Sequence, residues 1–237
     1  MSDYLLFHLY GPLASWGDIA VGEYRPSFAH PSKSAIIGLL AAALGIRRDE
    51  EERQNSLAAA CSFAVRIDAM GVLLRDYHTT QVPSVKRGVT HHTRQSELTM
   101  EELNTILSSR DYRCDATYTV AITVTDDAPY SLEELASALL KPVFTLYLGR
   151  KSCPLATPLH PQIVNAVTLR NALASVPPIV ELNDIISKTD ANVFWEGDIE
   201  SGLVCQQVIN RRDEPRSRKR WQFSDRRENY GVFRKEE

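Results

Sequence analysis

At 237 residues, 43% hydrophobic and 24% charged, the chain has the make-up of an ordinary globular protein of one large domain or one with a small appendage. It can bury roughly 70% of its unfolded surface, so it needs neither disulfides nor a structural metal, and no apolar run approaches the roughly eighteen residues of a membrane span. A formal charge of −3 and a pI near 6.1 argue, taken over the whole chain, against a nucleic-acid binder.

The start, MSDYLLFHLYG, carries no basic leader and no small-residue cleavage site, so no signal peptide is read and a cytoplasmic location is expected. Leu5, Phe7 and Leu9 alternate with Leu6, His8 and Tyr10, which predicts a strand with both faces partly apolar, ended by Gly11-Pro12. A loop rich in Gly, Pro and aromatic residues runs on to Pro31, with Trp16 read as a core anchor. Ser32-Lys33-Ser34 then opens a helix, either serine able to accept from the free N–H groups of its first turn. Its body, AIIGLLAAAL, is apolar on nearly every side, which predicts a buried helix, and Gly45 suits the position just past its end. Asp49 and Glu52 are spaced as a capping box for a second helical piece reaching Ala60.

Phe63, Val65 and Ile67 alternate with Ala64, Arg66 and Asp68, a second strand. The thirty-nine residues from Arg75 to Arg113 then far exceed a hairpin loop. They hold six basic and five acidic residues, three histidines and almost no core-forming run, which predicts an ordered projection. Ala116 to Thr125 is the clearest strand, Tyr118, Val120, Ile122 and Val124 facing one way and threonines mostly the other. Ser131 and Glu134 form a capping box for a helix over Leu132 to Leu140 that stops at Lys141-Pro142. Val143 to Leu148 predicts a fourth strand. Strand, helix, strand, projection, strand, helix, strand is the ferredoxin-like plan, an α+β fold in which four strands carry two helices on one face.

Beyond His160-Pro161 the pattern weakens. Gln162 to Ser175 is modestly helical, Pro177-Pro178 breaks it, and Val204 to Ile209 and Trp221 to Phe223 suit strands, together a small β-rich appendage over 156–237 on a domain of residues 1–155. Charge is uneven: seventeen basic against twenty-four acidic residues leave −7 over 1–210, and ten against six leave +4 from Arg211 on. The cluster RDEPRSRKRW reads equally as a solvated tail or a binding element.

The four cysteines are widely spaced with no CxxC pair, and His91-His92 lacks neighbours at ligand spacing, so no metal and no cofactor are expected. Walker, GxGxxG, GxSxG and HExxH motifs are absent. Three places suit RNA. The turn YLGRKSCPL puts Tyr147, Gly149, Arg150, Lys151 and Ser152 where backbone N–H groups and cations can meet a phosphate. Arg25 with Ser32, Lys33 and Ser34 surrounds a helix N-terminus, where simple capping is the competing reading. Arg75, Tyr77, His78 and Thr79 offer phosphate contact and base stacking, and Tyr77, His78 and Lys86 are also residue types for acid–base cleavage of RNA.

Taken together, GPLASWGD, RPSFAHPSKSAIIGLLAAALGI, RDYHTT, YRCDATYTVAI and KPVFTLYLGRKSCPLATPL, in this order and spacing over residues 1 to 160, resemble the CasD family. That is the subunit of type I-E CRISPR Cascade that holds the 5′ handle of the guide RNA. The resemblance implies a RAMP protein: a ferredoxin-like domain with a long β-hairpin thumb between its second and third strands, here about 75–113. It implies a non-catalytic subunit that binds the crRNA handle, caps the backbone filament, touches the backbone and large subunits, and meets target DNA only through the complex, with no membrane. Ser32 to Ser34, Tyr77, His78, Arg110 and Tyr147 to Ser152 are the RNA contacts it implies. In the related type I-C subunit a Tyr, Lys and His cut pre-crRNA, so a metal-independent endoribonuclease is the alternative.

Overall fold

The computed structural model describes residues 1–179, 182–186, 190–197 and 199–234. In chain order the elements are β1 (Ser2–Tyr10), β2 (Leu13–Ala14), β3 (Trp16–Gly17), β4 (Tyr24–Arg25), β5 (Ser27–Phe28), α1 (Lys33–Ala43), α2 (Glu51–Ala60), β6 (Cys61–Ala69) and β7 (Val72–Pro83). There follow α3 (Arg94–Leu98), β8 (Leu103–Cys114), β9 (Thr117–Val124), α4 (Leu132–Leu140), β10 (Gln162–Ala166), α5 (Leu169–Ser175), β11 (Ala191–Glu196), β12 (Gln207–Ser217) and β13 (Gln222–Phe233). No helix among the described residues is long and apolar enough to cross a membrane.

The mixed α/β architecture is dominated by a seven-stranded antiparallel sheet in the order β10-β1-β9-β6-β11-β13-β12. β1 explains its two apolar faces. Leu5, Phe7 and Leu9 join Phe63, Val65, Tyr118 and Val120 in the core beneath α1 and α4, while Tyr4 and Leu6 join Ala64, Ala121 and the α5 residues Leu169, Ala172 and Leu173 on the other side. Trp16 is buried in the first core and packs edge-on against Tyr118 at 5.6 Å.

Local signals set the helix ends. Ser32 caps α1, its Oγ accepting from Ala35 N at 3.1 Å, and Gly45 follows at φ +75°. The reciprocal Ser131–Glu134 box closes the start of α4. The Asp49–Glu52 box does not form. Glu50 occupies the cap position without a side-chain cap bond, because its carboxylate instead accepts from Arg47 N at 2.7 Å and from Arg53 at 2.6 Å.

Val143 to Leu148 is not a strand. Val143 N and Phe144 N donate to Ala43 O and Ala42 O, and Leu148 O accepts from Ser15 N. Leu146 and Leu148 still enter the core, so the apolar pattern reported burial without sheet pairing. The sheet edge beside β1 is taken by β10, in the stretch expected to be helical; only Leu169–Ser175 of that stretch is α-helix.

The expected projection is an antiparallel hairpin, β7 pairing β8 from Val72↔Cys114 to Pro83↔Leu103, with α3 near its tip. At its foot β2 pairs antiparallel and β4 parallel with β8. The last three strands extend the main sheet beyond β6, and the solvated-tail reading of RDEPRSRKRW fails: β12 buries Arg211, Asp213, Pro215 and Ser217 and exposes Arg212 and Arg216. A buried ionic cluster joins these strands to α1. Lys33 Nζ lies 3.1 Å from Glu196 and 3.0 Å from Glu214, Arg226 2.7 Å from Asp213 and 2.6 Å from Glu228, and Arg211 3.3 Å from Asp213.

Candidate nucleic-acid interface

The hairpin foot gathers candidates from three separate stretches of chain. On a strand, successive side chains point to opposite faces, and register partners share a face. Asp76↔Arg110 and Tyr77↔Ser109 across β7–β8, with Arg25↔Arg110 across β4–β8, therefore put Arg25, Arg110 and His78 on one face, and Arg75, Tyr77 and Thr79 on the other. Arg150 reaches the first face from the turn after Leu148, stacking 4.8 Å from the Tyr112 ring and donating to Asp111 O and Arg25 O at 3.4 and 3.1 Å.

The cations of this set differ in what neutralises them. Among the described residues Arg25 donates to carbonyls, Gly22 O at 2.6 Å and Tyr24 O at 3.1 Å, and Arg150 likewise, so neither is hydrogen-bonded to a carboxylate. Arg110 and Lys151 are exposed, and neither has a carboxylate partner among the described residues. Arg75 is neutralised: its Nε donates to Asp111 Oδ1 at 2.9 Å and its Nη2 to Tyr24 Oη at 2.9 Å. The Arg75 bond first, and then the one the Tyr24 hydroxyl donates to Asp111 Oδ2, hold the Asp111 carboxyl below the usual carboxylate range. Tyr24 and Asp111 were missed in the sequence; the only available signal was an acid in the otherwise cationic return limb of the projection.

Lys33 is the clearest correction. Its ammonium is buried between Glu196 and Glu214; burial opposes the charge, but the two carboxylates outweigh it and raise the lysine above its ordinary value. It therefore serves the ionic cluster, and the α1 start keeps only its hydroxyls: Ser32 caps, with Ser34 Oγ 3.0 Å from Ser32 Oγ. Gly149, expected to let the backbone approach a phosphate, stands at φ +83° with its Cβ position 1.9 Å from Ser15 O, so the close approach seen here is to protein backbone. Tyr147 bridges to Pro154 and is half-buried, and Ser152 is exposed beside Cys153.

Arg75, Tyr77 and Ser152 line a shallow cleft of ≈290 Å³ at the hairpin foot. Tyr77 is 62% exposed and free to stack on a ring, whereas His78 is hydrogen-bonded to Asp76 on the opposite face. Lys86 lies beyond the end of β7, toward the hairpin tip. A larger cavity, ≈660 Å³, opens at the other end of the sheet, and Asp3, Asp126, Glu133 and Glu200 make it acidic and unsuited to a polyanion. Among the described residues no group of three or more His, Cys, Asp or Glu is placed to hold a metal ion.

Comparison with known proteins bears on this geometry. A family model described as CRISPR-associated protein (Cas_Cas5) matches residues 4–228. The CRISPR system Cascade subunit CasD of Escherichia coli (strain K12) is 37% identical over 189 residues, 76% of this chain and 79% of that protein. A solved structure titled CRISPR RNA-guided surveillance complex contains a chain that superposes with a TM-score of 0.69 and 27% identity, covering 98% of this chain and 90% of the other. A crystal structure of a Cas protein superposes with a TM-score of 0.61 and 26% identity over 98% and 95% of the two chains.

Proposed function

The chain belongs to the CRISPR-associated Cas5 family, as its likeness to CasD requires, and on that footing we propose that it is the non-catalytic crRNA-binding subunit of a Cascade surveillance complex. It holds the 5′ handle of the guide at the foot of the β7–β8 hairpin, caps the backbone filament there, and contacts the backbone and large subunits. One observation carries the reading: Arg25 and Arg110 stand in register on neighbouring strands, and among the described residues neither is ion-paired, Asp76 across from Arg110 being bonded to His78 instead. Like charges side by side across a sheet destabilise it, and a bridging phosphate reverses the sign. Arg150 and Lys151 add cations, and Tyr77 offers a stacking ring for an unpaired base on the opposite face of the hairpin.

The domain reading carries over with its boundary moved, because β10 lies within the 156–237 stretch expected to form the appendage. The sub-sheet β10-β1-β9-β6, every pair antiparallel, is the strand order a ferredoxin-like domain requires, with β10 as its fourth strand and the hairpin as the thumb. Strands β11 to β13 then form the C-terminal β-rich region, added to the same sheet.

Cleavage of pre-crRNA is disfavoured because Tyr77 and His78, adjacent on one strand, point to opposite faces, whereas an acid and a base must converge on one phosphate. The test is UV crosslinking of 5′-labelled crRNA in the assembled complex, with repeat RNA incubated in EDTA alongside. Crosslinks to β4, β8 and the 147–152 turn with intact repeat RNA are expected. Crosslinks confined to other segments, or cleavage lost on His78→Ala, overturn the proposal.

A further inference from the structure

The basic cluster of the C-terminal region is only partly consumed by the ionic network. Arg211 turns inward, but Arg218, Lys219, Arg220 and Trp221 form the turn between β12 and β13, packed against α1 and the segment leading to α2. Arg218 donates to Ser34 O and lies over Gly38 of α1, where a Cβ would come within 3.0 Å of its guanidinium. Its Nε is buried without a hydrogen-bond partner. Arg48, from the α1–α2 connection, stacks over the Trp221 ring at 4.8 Å.

Two features call for an explanation. First, Arg48, Arg218, Lys219 and Arg220 are gathered here, and none has a carboxylate partner among the described residues. Burial, and then the charge of Arg48, push Arg218 down to about 10, the signature of a cation short of counter-charge yet still ionised at neutral pH. Second, Trp221 takes φ +57°, a left-handed conformation rare for a bulky side chain, and in doing so leaves its indole 58% exposed. Phe223 braces it edge-on at 5.7 Å. An exposed, braced indole with a guanidinium on its ring and cations beside it matches the chemistry of an unpaired nucleotide, which offers a π face and a phosphate together. An acidic protein segment would use the charges but would give no reason to strain a tryptophan outward.

We propose that the β12–β13 turn with Arg48 is a second nucleic-acid contact, in which an unpaired base stacks on Trp221 while Arg218, Lys219 and Arg220 hold the adjoining phosphates. It is built on different elements from the hairpin face and stands or falls independently of it. Its preference is for single-stranded nucleic acid of any sequence, since stacking and charge read no base edge.

Trp221 supplies its own probe, because the other two tryptophans, Trp16 and Trp195, are 1% and 3% exposed. The full chain is titrated with a short oligouridylate while tryptophan emission is followed. Emission is expected to fall, with most of the quenching lost in Trp221→Phe. The double variant Lys219→Ala/Arg220→Ala is expected to weaken binding several-fold and flatten the log K against log salt slope by roughly 1.4. Quenching retained in Arg110→Ala separates this contact from the hairpin. Emission unmoved at saturating RNA, quenching lost in Arg110→Ala, or quenching insensitive to the double variant overturns the proposal. So does equal quenching by an oligoglutamate of the same charge, which assigns the surface to an acidic protein.

Discussion

Arg25 and Arg110 face the same way on adjacent strands, and two guanidinium groups in that position repel until an anion lies between them. Arg110→Ala removes one of the two, so handle-RNA affinity should fall and the salt dependence of log K should flatten by about one unit, measured by anisotropy across a salt series. An unchanged slope would remove Arg110 from the interface. Buried histidine gives the molecule a separate pH dependence. His30 stacks on Phe194 at 3.9 Å with Arg211 Nη1 3.0 Å from its Nδ1; burial first, then Arg211, push it well below the ordinary imidazole value of 6.5. The ring is therefore neutral, and its 3.4 Å approach to Glu228 is a polar contact between a neutral ring and a carboxylate. Because the unfolded chain binds the proton more readily, His30's contribution is whole above about pH 6.5 and is lost progressively as pH falls from there toward the lower folded value. His8, lowered by burial, acts in the same direction, while Glu196 and Glu228, raised by burial, take up protons in the fold and offset part of the loss at lower pH. Urea midpoints from pH 7.5 to 5.5 should drop in the wild type, with a slope of up to about 1.4 kcal/mol per pH unit per proton. The slope should be shallower in His30→Gln; equal slopes would show that His30 does not drive it.

Elements whose ends carry their own chemistry were legible in the sequence. Ser131 and Glu134 announced α4 because both halves of the box are local, and Ser131→Ala should cost about 1 kcal/mol of unfolding free energy in chemical denaturation. Ser32 and Gly45 bounded α1 in the same way. Asp49 and Glu52 had the right spacing, but the competitor for the local N–H groups was Glu50, one residue over, and spacing alone cannot rank them. Val143 to Leu148 misled for a different reason: period-two burial of Leu146 and Leu148 looks like a strand, yet the partner that decides is β10, some twenty residues on. For the candidate site, Arg25, Arg110 and Arg150 were each visible as cations, but their meeting depends on β4 lying parallel to β8, a two-residue pairing with no sequence signature.

At the scale of the whole molecule, the ionic cluster decides which basic residues remain for nucleic acid. Lys33 sat in the most RNA-like motif of the first forty residues, and Arg211 in the most basic stretch of the last thirty; both are spent inside. The carboxylate partners of Lys33, Glu196 and Glu214, lie far off along the chain, and those of Arg211, Asp213 and Glu228, reach it only through the folding of β12 on β13, which is why composition could not separate structural from functional cations. Lys33→Met leaves Glu214 and Glu196 buried without that cation and should cost about 3 kcal/mol, read from the denaturation midpoint. An unshifted midpoint would return Lys33 to the surface cations. The cluster also imposes an order in time. Lys33 N donates to Asp213 Oδ2, 180 residues further along the chain. At about 5–20 residues per second, translation takes on the order of ten to forty seconds to cover that stretch. Until Glu196 and then Glu214 are made, the lysine in the first turn of α1 has neither of its two counter-charges. The apolar body of α1 packs against core residues between Leu5 and Leu159, so it can be covered early, and the strands that emerge last are the ones that complete the charge balance at its first turn.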